Sequence, residues 1–198
     1  MCASYEARFG LRQLVELFAA AGAPLALRGG LPNLEPIGEV RPTDAAMAVR
    51  LVDGAADLVP MRFGFPPPPG RKGGPVINYR SEGREISNGG RQGRALVPAS
   101  GFFEFTGEKY PKTRWKLAAA DGAPLLLAAV WRAGEAGEAF SLLTAEPGPD
   151  VAPYHTRGVL PLPPALWADW LFGRRPTAEL LSPPPAGTLT AVAAPRGG

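Results

Sequence analysis

Proline and glycine punctuate this sequence so densely that long regular elements have little room to form. The 198 residues include 25 Gly and 24 Pro, about a quarter of the chain. A fraction that high marks either a low-complexity chain or one compact domain with many turns. The other residues favour the second, because the chain is 45% hydrophobic and carries nine Phe and four Trp. A chain of this length can bury one sizeable core, so a single domain over residues 1–198 is expected, with a Pro/Ala-rich C-terminal extension over 173–198.

Local patterns divide that domain into short pieces. Leu11, Leu14, Val15, Leu17 and Phe18 recur at helical spacing and predict a helix over 10–21 ending at Gly22. Strands are then expected at 46–52 and 57–65, joined by a hairpin turn at Asp53-Gly54. Others follow at 76–79, 95–98, 102–105, 115–118, 124–131, 139–144, 159–162 and 188–193. The run Pro66-Pro67-Pro68-Pro69-Gly70 reads as an extended surface connector. Pro163-Pro164 opens a helix reaching 172. Strands that succeed one another without intervening helices favour an α+β fold, a curved and largely antiparallel, barrel-like sheet with a few flanking helices.

The scarce residues narrow the chemistry. With one Cys there is no intrachain disulfide, and one Cys with one His cannot make a Cys/His zinc site. Thiol chemistry must fall to Cys2 and imidazole chemistry to His155. Neither metal nor cofactor is expected. No segment approaches the roughly 20 apolar residues of a bilayer span, and the start lacks the features of a secretory signal. A cytoplasmic monomer away from membranes, with its thiol reduced, is the expectation.

Charge is unevenly distributed. Between Arg62 and Lys116 there are eleven basic residues against four acidic ones, whereas the whole chain carries only +3. A basic central third suits a polyanion-binding face. The same segment holds Phe63, Phe65, Phe102, Phe103, Phe105 and Trp115, candidate stacking surfaces for single-stranded DNA. Solvated arginines scattered over loops are the plainer alternative.

Four segments could carry chemistry. If Met1 is removed, Cys2 becomes a 1,2-aminothiol, able to form a Schiff base with an aldehyde and then close a thiazolidine; it could equally be an incidental small residue at a chain end. Asn78-Tyr79-Arg80-Ser81-Glu82 ends a predicted strand with groups able to orient a reactant and hold a phosphate, or merely to face water. In Phe102-Phe103-Glu104-Phe105 an acid lies within an aromatic run, where burial would raise its pKa, unless it faces solvent from an edge strand. His155-Thr156-Arg157-Gly158 places the sole His beside an Arg.

Met1-Cys2, Arg62-Phe63-Gly64, Asn78 through Glu82, Arg94 through Phe105 and His155 through Gly158 form five ordered blocks within 2–172. In order and spacing they resemble the SRAP family, the abasic-site processing proteins once described as SOS response-associated peptidases. The resemblance implies a DNA-damage protein that binds single-stranded DNA and captures abasic sites as a thiazolidine crosslink. It implies Cys2 as nucleophile, Asn78 as the residue positioning the N-terminus and opened sugar, Glu104 as acid/base and His155 as a proton-transfer aid. Arg62, Phe63, Arg80 and Arg157 would contact DNA. A Cys2/His155 thiol peptidase and a non-catalytic single-strand-binding module are the competing expectations. The sequence also departs from the family pattern. Phe63 and Phe105 replace Trp, Ala3-Ser4 stand where Gly-Arg is usual, Ala95 replaces a second Cys, and Gly158 replaces Met.

Overall fold

The computed structural model describes residues 3–32, 34–67, 70 and 72–195. Strand β1 (Tyr5–Ala7) and helix α1 (Leu11–Ala20) are followed by β2 (Ile37–Val40), β3 (Ala45–Val52) and β4 (Ala55–Phe63). Next come β5 (Asn78–Arg80), β6 (Gln92–Ala99), β7 (Gly101–Thr106) and β8 (Thr113–Ala119). Strands β9 (Leu125–Gly134), β10 (Gly137–Ala145) and β11 (Gly158–Val159) lead to a 3-10 turn at Pro164–Leu166. Helices α2 (Trp167–Phe172) and α3 (Thr177–Leu180) and strand β12 (Leu189–Ala193) complete the chain. Among the described residues no helix is long and apolar enough to cross a membrane.

Strands β10, β4, β3, β6 and β9 pair in that order, and β9 pairs back onto β10 to close a barrel. A second sheet runs β12-β8-β7-β1-β2. All strand pairs are antiparallel except β10 with β4 and β10 with β5. The turn between β3 and β4 takes two residues, Asp53 at φ 44° and Gly54 at φ 78°. Positive φ at both positions matches the twist of the flanking strands, and Asp-Gly accepts it cheaply.

Strand alternation produces two cores. Ala95 and Val97 of β6, Leu127 and Ala129 of β9, and Phe140 and Leu142 of β10 pack with Tyr5, Phe102 and Leu117 of the second sheet. The alternate residues, including Leu96, Ala128 and Leu143, turn to the other face and meet Leu14 and Phe18 of α1 and Trp167 and Trp170 of α2. Both faces being covered, β6 and β9 read as continuous apolar runs rather than alternating ones. Helix α2 is pinned by its indoles: Trp167 Nε1 donates to Leu162 O at 2.8 Å and Trp170 Nε1 to Ala95 O at 2.9 Å. Burial of each indole contributes on the order of 3 kcal/mol.

The structure differs from the sequence expectation at the ends. Strands β1 and β2 have no counterpart in the sequence pattern, since three or four residues are too few to show a period. The expected helix to 172 begins as a 3-10 turn. The strand expected at 188–193 does form, as β12, and ties the segment after 173 into the fold. All five residues of β12 pair with β8, and Thr177 Oγ1 accepts from Ile86 N–H at 2.9 Å. In the proline tract, Pro68 and Pro69 lie outside the described residues.

Candidate active site

Strand β10 brings two motif blocks together. On one edge Leu142 and Thr144 are in register with Asn78 and Arg80 of β5. On the other edge Thr144 meets Val159 of β11, immediately after the His155 block. Asn78 and Arg80 therefore share the face of Leu142, which looks toward the second sheet. The Arg157 guanidinium crosses between the blocks, donating through Nη2 to Thr144 O and to Glu82 Oε2, both at 2.8 Å. This contact holds the Glu82 carboxyl down to about 2 and keeps Arg157 firmly protonated. Gly64 explains the Arg62-Phe63-Gly64 block: at φ 95° a Cβ there would lie 2.8 Å from Ile77 Cγ2 and 2.9 Å from Pro75 Cβ. Only glycine lets the chain entering β5 lie this close.

Glu104 comes from the second sheet. It pairs with Trp115 across β7 and β8 and shares the face of Phe102. It is 1% exposed, and burial pushes its carboxyl up to about 7. The Trp115 ring meets the Tyr154 ring at 5.0 Å, which joins the Glu104 strand pair to the turn bearing His155. Strand β1 runs antiparallel to β7, with Tyr5 opposite Phe102 and Ser4 O accepting from Phe103 N–H at 3.1 Å. Toward lower residue numbers it heads along β7 in the direction of Glu104. Cys2 itself lies outside the described residues.

His155 is held by backbone. Arg157 N–H donates to Nδ1 at 2.9 Å, and Arg157 O lies 3.2 Å from the same nitrogen. Accepting from Arg157 N–H requires a free lone pair on Nδ1, so this contact favours the neutral ring with its proton on Nε2. Burial lowers the His155 pKa, and the charge of Lys112 acts in the same direction.

Several expected DNA contacts are placed elsewhere. Phe63 is 0% exposed, edge-on to Tyr5 and stacked on Phe140 at 5.2 Å, so it packs the core and has no face to offer a base. Phe65, Phe102 and Phe103 are also buried, because strand alternation points them into cores or under Arg114. Arg62 is in register with Ala139 and lies on the opposite face of the sheet from Phe63. The basic count also overstates the free charge. Arg94 and Arg114 are buried in ion pairs with Glu85 and Glu39, and Lys116 pairs with Glu6. Lys72, Arg80, Arg84, Arg91, Lys109 and Lys112 remain exposed, and Arg71 lies outside the described residues. Sequence reasoning missed Thr144 and Tyr154, whose parts depend on strand register and on a ring contact that leave no motif. Among the described residues no group of three or more acidic, His or Cys side chains is arranged to hold a metal.

Comparison with known proteins places the chain in a family. The abasic site processing protein YedK of Escherichia coli is 30% identical over 147 residues, which cover 69% of this chain and 66% of that protein, just under two thirds of its length. A crystal structure of a Bordetella bronchiseptica protein superimposes with a TM-score of 0.71 at 22% identity, covering 98% of this chain and all of that one. A phage-related protein from the same organism gives a TM-score of 0.73 at 23% identity, covering 98% and 95% of the two chains. Both structures share the fold. The SOS response associated peptidase (SRAP) pattern matches residues 1–195, nearly the whole chain that forms the two sheets, and the chain belongs to that family.

Proposed function

We propose that this protein binds single-stranded DNA and captures abasic sites covalently through Cys2 once Met1 has been removed. The observation that carries the reading is the course of β1, which leads the N-terminal chain along β7 toward buried Glu104. Cys2 is two residues from Ser4, a reach of at most about 7 Å. In this reading the opened sugar presents its aldehyde to the Cys2 amine. Condensation forms a carbon–nitrogen double bond and releases water. The thiolate then adds to that carbon, the nitrogen takes up a proton, and a five-membered thiazolidine remains.

Glu104 suits the proton work. A carboxyl near 7 is populated in both forms at neutral pH, so it can protonate the departing hydroxyl and later accept a proton. Asn78 would orient the sugar from β5, and His155 would relay protons from the opposite side of β10. Arg80, exposed on the Asn78 face of β5, would hold a phosphate, and Arg157 would reinforce it while tied to Glu82.

Intact-mass measurement before and after mixing with an abasic single-stranded oligonucleotide tests this. The expected result is a protein lacking Met1 that gains the oligonucleotide mass less water in a heat-stable adduct. Cys2→Ala should give none. An adduct formed equally well by Cys2→Ala would overturn the thiazolidine mechanism. Unaided release of extra residues placed before Cys2 would point instead to peptidase chemistry at the same site.

A further inference from the structure

Tyr79 stands between Asn78 and Arg80 in sequence, and strand alternation sends it to the other face of β5, in register with Leu143. There it meets two arginines from separate elements. The Arg84 guanidinium lies 4.7 Å from the Tyr79 ring centre and donates to its hydroxyl at 3.0 Å. The Arg132 guanidinium lies 5.4 Å from the same ring and 4.9 Å from Phe65, and reaches the same hydroxyl at 3.5 Å. Two like charges thus converge on one oxygen at the wall of a cavity of about 200 Å³.

Among the described residues no carboxylate is paired with either of them. The carboxylate lining the cavity, Glu85, is committed to Arg94 at 2.8 Å and to the Thr177 hydroxyl and amide at 3.0 and 2.9 Å. Neither Arg84 nor Arg132 forms an ion pair among the described residues. Stacking on aromatic rings fixes each guanidinium while leaving further N–H groups available, an arrangement suited to a tetrahedral oxyanion. Ser87 and Gln92 add polar groups to the rim. Arg62 lies on this face too, two strands from Arg132 through Ala139, with a buried Nε that has no hydrogen-bond partner.

We infer that Tyr79, Arg84 and Arg132 form a second, phosphate-binding site on the face of β5 opposite Asn78 and Arg80. Among the described residues β5 pairs with β10 alone, so its other edge is open. A single strand leaving Arg80 can pass over that edge and place a phosphodiester between Arg84 and Arg132. That path rests on the single-strand binding proposed above, whereas the site itself would equally accept a free phosphate.

Undamaged single-stranded oligonucleotides of about 5 and about 12 nucleotides, titrated over a range of salt, test the site. The variant Arg84→Ala/Arg132→Ala changes exposed residues outside the candidate active site. It should bind the longer oligonucleotide roughly tenfold more weakly. Its salt slope should fall by about 0.7, the share of one phosphodiester that the variant no longer neutralises. Binding of the shorter oligonucleotide and capture of an abasic site within it should be unchanged. Arg12→Ala/Arg28→Ala removes the same net charge elsewhere; an equal weakening there reduces the effect to overall charge and overturns the proposal. A parallel titration with inorganic phosphate separates the sources. Phosphate binding abolished in the variant, with oligonucleotide affinity intact, assigns the site to free phosphate. If neither ligand distinguishes variant from wild type, the site does not exist. A wild type that binds no oligonucleotide would refute single-strand binding and leave the phosphate titration to decide on the site.

Discussion

Arg94 and Glu104 are both buried charges on strands, yet their surroundings treat them in opposite ways. Arg94 is 2% exposed on the helix-covered side of the barrel. Its guanidinium stacks on Trp170 at 4.7 Å and donates to Ile86 O, Glu85 and Arg175 O at 2.7, 2.8 and 3.0 Å. Those contacts tie β6 to α2 and to the segment after it. Glu104, 1% exposed between the sheets, is dominated by desolvation, which moves its carboxyl to about 7. Burial alone therefore does not distinguish a structural charge from a chemical one. What distinguishes them is which form the surroundings favour: the charged form for Arg94, through its carbonyl and carboxylate partners, and the protonated form for Glu104, through desolvation.

Exchanging the consequences of the two residues would break this contrast. Glu104→Gln keeps the shape and removes the proton, so the rate of adduct formation with abasic DNA should fall by about 100-fold or more in a protein that still folds. Rapid-quench kinetics read this, and an unchanged rate would show that Glu104 is structural. Arg94→Ala should act the other way. It strips partners from buried carbonyls and should cost roughly 3–5 kcal/mol in denaturant unfolding, while the folded fraction retains its capture rate.

The pH dependence of stability sharpens the contrast. The Glu104 carboxyl rises from 4.5 to about 7 on folding, so between those values the folded protein binds a proton that the unfolded chain has released. The stability due to this group is full below about pH 4.5 and is lost as pH rises through 7, by roughly 3 kcal/mol. Glu104→Gln should flatten unfolding curves across that window and stabilise the protein at pH 8; a slope that persists would assign the titration elsewhere. The smallest effect belongs to the exposed pair, where Glu82→Gln should cost under about 1 kcal/mol in thermal unfolding.

The sequence was most legible where local chemistry rules. The Asp53-Gly54 hairpin, α1 and strands β3 to β10 follow from turn residues and periodicity, and each forms within a few residues of its expected bounds. The pairing of Tyr5–Ala7 with β7 left no such trace, because so short a strand is specified by its partners rather than by its own pattern.

The candidate site divides along the same line. Residue types and spacing by themselves determined the family, the α+β class and the short list of groups able to do chemistry, since these depend on identity and order along the chain. Only the tertiary structure decided what each group faces. Strand alternation turned Phe63 into core, placed Arg62 and Tyr79 away from Asn78 and Arg80, and used Arg94 as a structural tie. The basic count between Arg62 and Lys116 could not foresee this. Charge along a chain adds without regard to direction, whereas a sheet assigns each successive side chain to an opposite face.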